Sequence, residues 1–184
     1  PEEKVIASIL KGEETLRAHV HKSDDIAALL RLSNEFGLRM TIEHASDVHD
    51  KQTFDVLKEN RIKVVYGPLD AFPYKVELKH EDWRNIKYLL ESNVQFGLMT
   101  DHPVILQHNL LLTLRWFLRM GVKKHEALSI ITLKNANILG IEDILGSIEE
   151  GKWASFIGWN GDPFNLESYP IAVYGEGRCL YEET

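Results

Sequence analysis

A short apolar run followed by an amphipathic stretch recurs four times between residues 16 and 137, and this alternation constrains the fold of the 184-residue chain more than any other feature. Residues 16–21, 39–45, 63–66 and 95–100 are short runs suited to strands. After the first of them Ile26, Leu29, Leu30, Leu32 and Phe36 recur at helical spacing. Phe54, Val56 and Leu57 do the same over residues 50–60, and Trp83, Ile86, Leu89 and Leu90 over residues 81–92. Ser23 is placed to cap its helix, with Asp24 and Asp25 in the first turn, where carboxylates suit the helix dipole, and with Gly37 at the end. Gly67-Pro68 stops the third strand, residues 69–79 read as a loop, and residues 3–10 read as the end of a helix. Two further helices are predicted, about 105–120 and 123–137. Trp83, Trp116 and Phe117 lie at helical spacing and are expected in the core. Strand and helix in regular succession with short loops predict an α/β fold of four parallel βα units.

From Ile141 the pattern changes. Gly146, Gly151, Gly158, Gly161, Gly175 and Gly177 punctuate short β-type runs at 155–157 and 171–174. The expected organisation is therefore an α/β unit over residues 1–140 and a small β appendage over residues 141–184.

Charge and cysteine usage narrow the function classes. The net charge of −7 argues against a nucleic-acid partner, which normally demands a basic face. Cys179 is the lone cysteine, so no internal disulfide framework exists, and a cytoplasmic setting is expected. The apolar stretch at 110–118 is interrupted by Arg115 and is far shorter than the roughly 20 residues a bilayer span needs, so no membrane partner is expected. Pro1-Glu2-Glu3-Lys4 carries no signal-peptide pattern and no initiator Met, so a processed or cut chain is expected.

The chemistry concentrates at the strand ends. In parallel α/β folds the active site lies at the C-terminal ends of the strands. The first strand here ends in His19-Val20-His21, the second in His44, the fourth in Asp101-His102; the third ends in Tyr66-Gly67-Pro68 and supplies no ligand. His and Asp are zinc ligands, and a catalytic zinc usually takes three protein ligands and water. A side-chain period of two puts His19 and His21 on one face. By the same alternation Glu43 is expected to point away from His44, towards the helices. His49, His80, His108 and His125 read as surface or packing residues.

These residues resemble a known family. His19-Val20-His21, Ile42-Glu43-His44-Ala45 and Met99-Thr100-Asp101-His102-Pro103 are similar, in order, to motifs of the amidohydrolase superfamily, with the closest likeness to its imidazolonepropionase-related branch. Residues 132–140 and 146–152 look like that branch's C-terminal signature, and Gly161-Asp162-Pro163 agrees. Where the family usually has Gly-Lys-x-Ala-Asp, the chain has Gly151-Lys152-Trp153-Ala154-Ser155, a departure within the β appendage.

The resemblance implies the C-terminal half of a (β/α)8 TIM-type barrel, strands five to eight. It implies a divalent metal, zinc by default, held by His19, His44 and Asp101. Asp101 and His44 become the catalytic pair. In such enzymes the aspartate takes a proton from the attacking water, and the strand-six histidine binds metal or polarises the substrate carbonyl. His21 and Tyr66 fall to substrate binding. The implied reaction is hydrolysis of an amide or cyclic amide C–N bond in a small molecule. The family's strand-one His-x-His pair and its strand-four bridging residue have no counterpart here, so the metal is expected to be weakly held or absent and the isolated chain inactive. Two other readings stay open: a non-catalytic half-barrel interaction module, and a subunit complemented by a second chain carrying strands one to four. Self-association or pairing with the missing half is expected, driven by open sheet edges and by uncovered inner-face residues Val20, Ile42 and Val65.

Overall fold

The computed structural model describes residues 2–72 and 75–183. Helix α1 (Glu2–Leu10) leads into four strands: β1 (Leu16–Val20), β2 (Met40–His44), β3 (Lys63–Tyr66) and β4 (Phe96–Leu98). All three pairings are parallel, in the spatial order β1-β2-β3-β4. Helices α2 (Ser23–Phe36), α3 (Lys51–Glu59) and α4 (Ile86–Ser92) connect them, and a 3-10 turn at Trp83–Asn85 precedes α4. After β4 come α5 (Leu110–Thr113), α6 (Arg115–Arg119), α7 (Lys124–Ile131) and α8 (Leu133–Leu139). An antiparallel sheet follows, β5 (Phe156–Trp159), β6 (Pro170–Gly175) and β7 (Arg178–Glu182), in that order. The parallel βα alternation and the change of pattern beyond Ile141 are thus both present.

Local differences have local causes. Ser23 does not cap α2: Lys22 occupies the cap position, and the Ser23 hydroxyl donates to Asp50 instead, at 3.3 Å. Asp50 is itself the cap of α3, accepting from the Thr53 amide at 2.7 Å. The helix expected over 105–120 is a 3-10 turn at Gln107–Asn109 followed by α5 and α6, and the Thr113 hydroxyl donates to the Leu110 carbonyl at 2.6 Å near the break between the two helices. The helix over 123–137 is divided at Thr132, whose hydroxyl bonds the Leu128 carbonyl at 2.9 Å. Such back-bonding competes with the helix ladder. Strand β7 was not anticipated. It follows a two-residue turn in which Glu176 and Gly177 have φ of 51° and 78°, the positive pair that twists a hairpin correctly. Ser155, which departs from the family pattern, accepts from the Glu176 amide at 3.0 Å and so ties β5 to that turn.

Register assigns side chains to faces. Leu16, Ala18 and Val20 align with Met40, Ile42 and Val64, then with Tyr66, Phe96 and Leu98. This face packs on Ile26, Leu30, Phe54, Leu57, Ile86, Leu89, Phe117, Ala127 and Ile130 of the surrounding helices. Phe96 stacks on Phe117 with centroids 5.8 Å apart. Arg17, His19, Thr41, Glu43, Lys63, Val65 and Gly97 share the opposite face.

Three expectations are corrected by this register. Val20 and Ile42 belong to the helix-packed face and are buried, so they are not uncovered inner-face residues; only Val65 of the three lies on the opposite face. Glu43 stands on the face opposite the helices, not towards them, where it accepts from the Thr41 hydroxyl at 2.5 Å and faces the Arg17 guanidinium at 3.8 Å. Trp83 and Trp116 are half-buried rather than core: they stack on each other at 4.7 Å, and the Trp116 indole N–H donates to Asp70 at 2.6 Å. Phe117 is fully buried, as expected.

The outer edge of β4 is closed by a side chain. Asn135 of α8 donates to the Leu98 carbonyl and accepts from the Leu98 amide, each at 3.0 Å, as a neighbouring strand would. Gly97 makes the approach possible, because a Cβ there would lie 1.9 Å from the Asn135 Oδ1.

Candidate metal centre

Three histidines converge at the C-terminal ends of β1 and β2. His19 and His44 rings lie with centroids 4.2 Å apart, His21 and His44 at 4.6 Å, and His19 and His21 at 5.0 Å. One ring nitrogen from each lies within 4.8 Å of the others. His19 and His21 reach this point through the period of two. His44 does not: its register partners are Val20 and Tyr66, on the helix-packed face. It joins the other two because the chain leaves strand geometry there, with φ of 81° at His44 and 54° at Ala45. Asp101 has φ of 49°. Left-handed backbone costs non-glycine residues roughly 1–2 kcal/mol each, and such strain clusters at functional sites.

Hydrogen bonds prepare His44 as a ligand. Its Nδ1 lies 2.8 Å from the Gly67 carbonyl, which only accepts, so the proton sits on Nδ1 and the Nε2 lone pair is free. Gly67 itself has φ of 120°, and a Cβ on it would lie 2.6 Å from the Met99 carbonyl oxygen. Only glycine fits between β3 and β4 at this point.

Electrostatics keep two of the three rings neutral. Burial, with help from His44, pushes His21 down to about 4. His44 is lowered mainly by burial, against the Gly67 hydrogen bond that raises it. Both are therefore uncharged imidazoles at neutral pH, the form that binds metal. His21 supplies the fit test for a metal: it is 5% exposed, and neither ring nitrogen has a hydrogen-bond partner among the described residues. An orphaned buried imidazole beside two others is the donor set of an imidazole-bound cation.

Asp101 is exposed and does not join the three-histidine group, but it lines the same cleft as His21 and His44. Ser46, Lys75 and Glu81 also stand in the walls of that cleft. Glu81 lines the adjoining cleft of Asp70, Trp83 and Trp116 as well. Burial pushes Glu81 up to about 7, reinforced by Asp47, and its Oε2 has no partner among the described residues. Tyr66 is not a cleft residue: it is 2% exposed on the helix-packed face, with its ring edge-on to Phe54 at 6.4 Å, and burial raises its pKa. Sequence reasoning assigned His21 to substrate, although its spacing from His19 was the signal that the two rings would stand together. It missed Glu81 and a grouping of Asp47, His49 and His80, for which periodicity offered no signal.

The sequence profile of the amidohydrolase family matches residues 6–178, so this chain belongs to the amidohydrolase family. An amidohydrolase from Thermotoga maritima MSB8 superposes with a TM-score of 0.91 at 37% identity, over 98% of this chain and 46% of that one. The E. coli guanine deaminase shares the fold, with a TM-score of 0.69 at 22% identity over 100% of this chain and 52% of that one. The amidohydrolase tasK of Hapsidospora irregularis is 24% identical over 182 residues, 98% of this chain and 19% of tasK. The chain thus spans about half the length of these solved structures and about a fifth of that curated relative. Among the described residues, no helix is long and apolar enough to cross a membrane.

Proposed function

We propose that this chain forms strands five to eight of a (β/α)8 barrel in a metal-dependent amidohydrolase that cleaves an amide or cyclic amide C–N bond in a small molecule, as enzymes of the imidazolonepropionase-related branch do. The observation that carries the reading is the buried His21 imidazole, which has no hydrogen-bond partner among the described residues and stands beside His19 and His44. His19 and His44 hold a divalent metal, zinc by default, with His44 fixed through Gly67. His21 stands close enough to share the ligand set or to hold substrate. A bound divalent metal supplies Lewis acidity, polarising a carbonyl and acidifying water. Asp101, at the mouth of the cleft, completes the ligand set and accepts the proton at a carboxylate oxygen. Lys75 and Glu81 line the space in which substrate is oriented.

The parallel order β1-β2-β3-β4, and the match to about half of the Thermotoga structure, support the half-barrel. Among the described residues β1 pairs only with β2. The reading gives its other edge a further strand, from the same polypeptide or a second chain. The test is a panel of amides and cyclic amides offered to the full-length protein before and after chelation. Activity lost on chelation and restored by zinc supports the proposal, as does an Asp101→Asn variant with native circular dichroism and turnover nearly abolished. Hydrolysis that survives metal stripping, or full activity in Asp101→Asn, overturns it.

A further inference from the structure

A second histidine cluster stands beside the cleft. The Asp47 amide donates to the His21 carbonyl at 3.2 Å, and His80 immediately precedes the cleft residue Glu81. Asp47, His49 and His80 each offer one ligand atom within 4.8 Å of the others. We propose that His49 and His80, with Asp47 orienting both rings from behind, form a second cation site, for a first-row transition metal such as zinc or copper(II), separate from His19, His21 and His44.

The argument rests on how Asp47 sets both rings. The His49 Nδ1 lies 2.9 Å from the Asp47 backbone carbonyl. A carbonyl only accepts, so His49 carries its proton on Nδ1 and leaves the Nε2 lone pair free. The His80 Nδ1 lies 3.1 Å from Asp47 Oδ2, while the His80 backbone N–H donates to Oδ1 at 2.5 Å. The carboxylate fixes the same tautomer in the second ring. One residue thus orients two imidazoles, through its carbonyl and its carboxylate, in the manner of the outer-shell partners of metal-binding histidines. The rings stand 4.3 Å apart and 34° from parallel. Both turn Nδ1 towards Asp47, so both Nε2 atoms face the opposite way.

Burial agrees with the assignment. The Asp47 side chain is 6% exposed and that of His80 46%, and His49 is exposed too, so a rigid carboxylate stands behind two solvent-facing ligands. A hydrogen-bonded clamp between the loops after β2 and β3 would account for His80, but it gives no reason for His49 to stack on it. Imidazole nitrogens select zinc, copper or nickel over the oxygen-seeking magnesium and calcium. The Asp47 carboxylate supplies negative charge behind the two rings, and water completes the ion's shell.

The experiment is a calorimetric titration of zinc alone into metal-stripped full-length protein. Three variants are compared with wild type: His49→Ala/His80→Ala, His19→Ala/His44→Ala and Asp47→Asn. The first takes up one equivalent of zinc fewer than wild type, and the second retains that equivalent. Asp47→Asn weakens it roughly 10–100-fold, the usual effect of removing an outer-shell partner. The cause is the asparagine amide, which donates to His80 Nδ1 and moves the ring proton onto Nε2. Copper(II) bound to His19→Ala/His44→Ala shows two-nitrogen hyperfine structure by electron paramagnetic resonance, lost when His49 and His80 are also replaced. His49 and His80 are exposed, so their replacement leaves the circular dichroism native. Unchanged zinc stoichiometry in His49→Ala/His80→Ala overturns the proposal, and so does loss of this equivalent in His19→Ala/His44→Ala with the fold intact.

Discussion

Gly97 and Asn135 offer a sharp test of how β4, the strand that delivers Asp101, is held. Asn135 makes two hydrogen bonds to the backbone of Leu98, which is 4% exposed. Removing them in Asn135→Ala strands one donor and one acceptor. At about 1–3 kcal/mol for each buried group left without a partner, the loss is about 2–6 kcal/mol. Gly97→Ala acts through the same pair. Its methyl would lie 1.9 Å from Asn135 Oδ1 and 3.0 Å from Ile138 Cδ1, so the amide has to leave Leu98. The single variants should therefore cost similar amounts, and the double variant little more than Asn135→Ala alone. Urea denaturation of all four proteins measures the coupling, which should be of the order of the single-variant loss. Costs that add to within about 0.5 kcal/mol, as independent sites do, would refute the reasoning.

Two further predictions concern the core and the cleft. Phe117→Ala, at a fully buried ring stacked on Phe96, should cost about 3–5 kcal/mol in denaturant unfolding; a loss under about 1 kcal/mol would mean that α6 does not close this face. Glu81 has its carboxyl pushed up to about 7 by burial from the ordinary 4.5, so between those values the unfolded chain has released a proton that the folded chain keeps. Its contribution to stability therefore falls as pH rises through that window. Glu81→Gln should stabilise the protein by about 1–2 kcal/mol near pH 8, discounted for partial exposure, and by almost nothing near pH 4. Thermal melts at the two pH values decide it, and a variant equally or less stable at the higher pH contradicts the burial argument.

The parallel architecture was legible because helix and strand periods differ and because the strand ends are marked by His19, His44 and Asp101. The faces were less legible. Alternation places His19 and His21 together and, followed strictly, places His44 with Tyr66 on the helix side; the positive φ at His44 brings its ring to the other two. Periodicity carries no sign of a backbone reversal at a single residue. The same parity argument, with its starting face wrongly chosen, put Val20, Ile42 and Glu43 on the wrong sides of the sheet. Asn135 reads in sequence as one more helix residue, because a side chain standing in for a strand depends on where α8 packs. His80 lies in an irregular stretch between β3 and α4, where no period sets direction, so its meeting with Asp47 and His49 had no sequence signal.

Zinc K-edge X-ray absorption, on the full-length protein carrying His49→Ala/His80→Ala so that one centre alone reports, tests the central claim most directly. The account predicts a zinc ion with imidazole nitrogens at about 2.0–2.1 Å, lost when His19 and His44 are also replaced by alanine. Zinc uptake and an imidazole signal that persist when His19, His44, His49 and His80 are all replaced by alanine would contradict it.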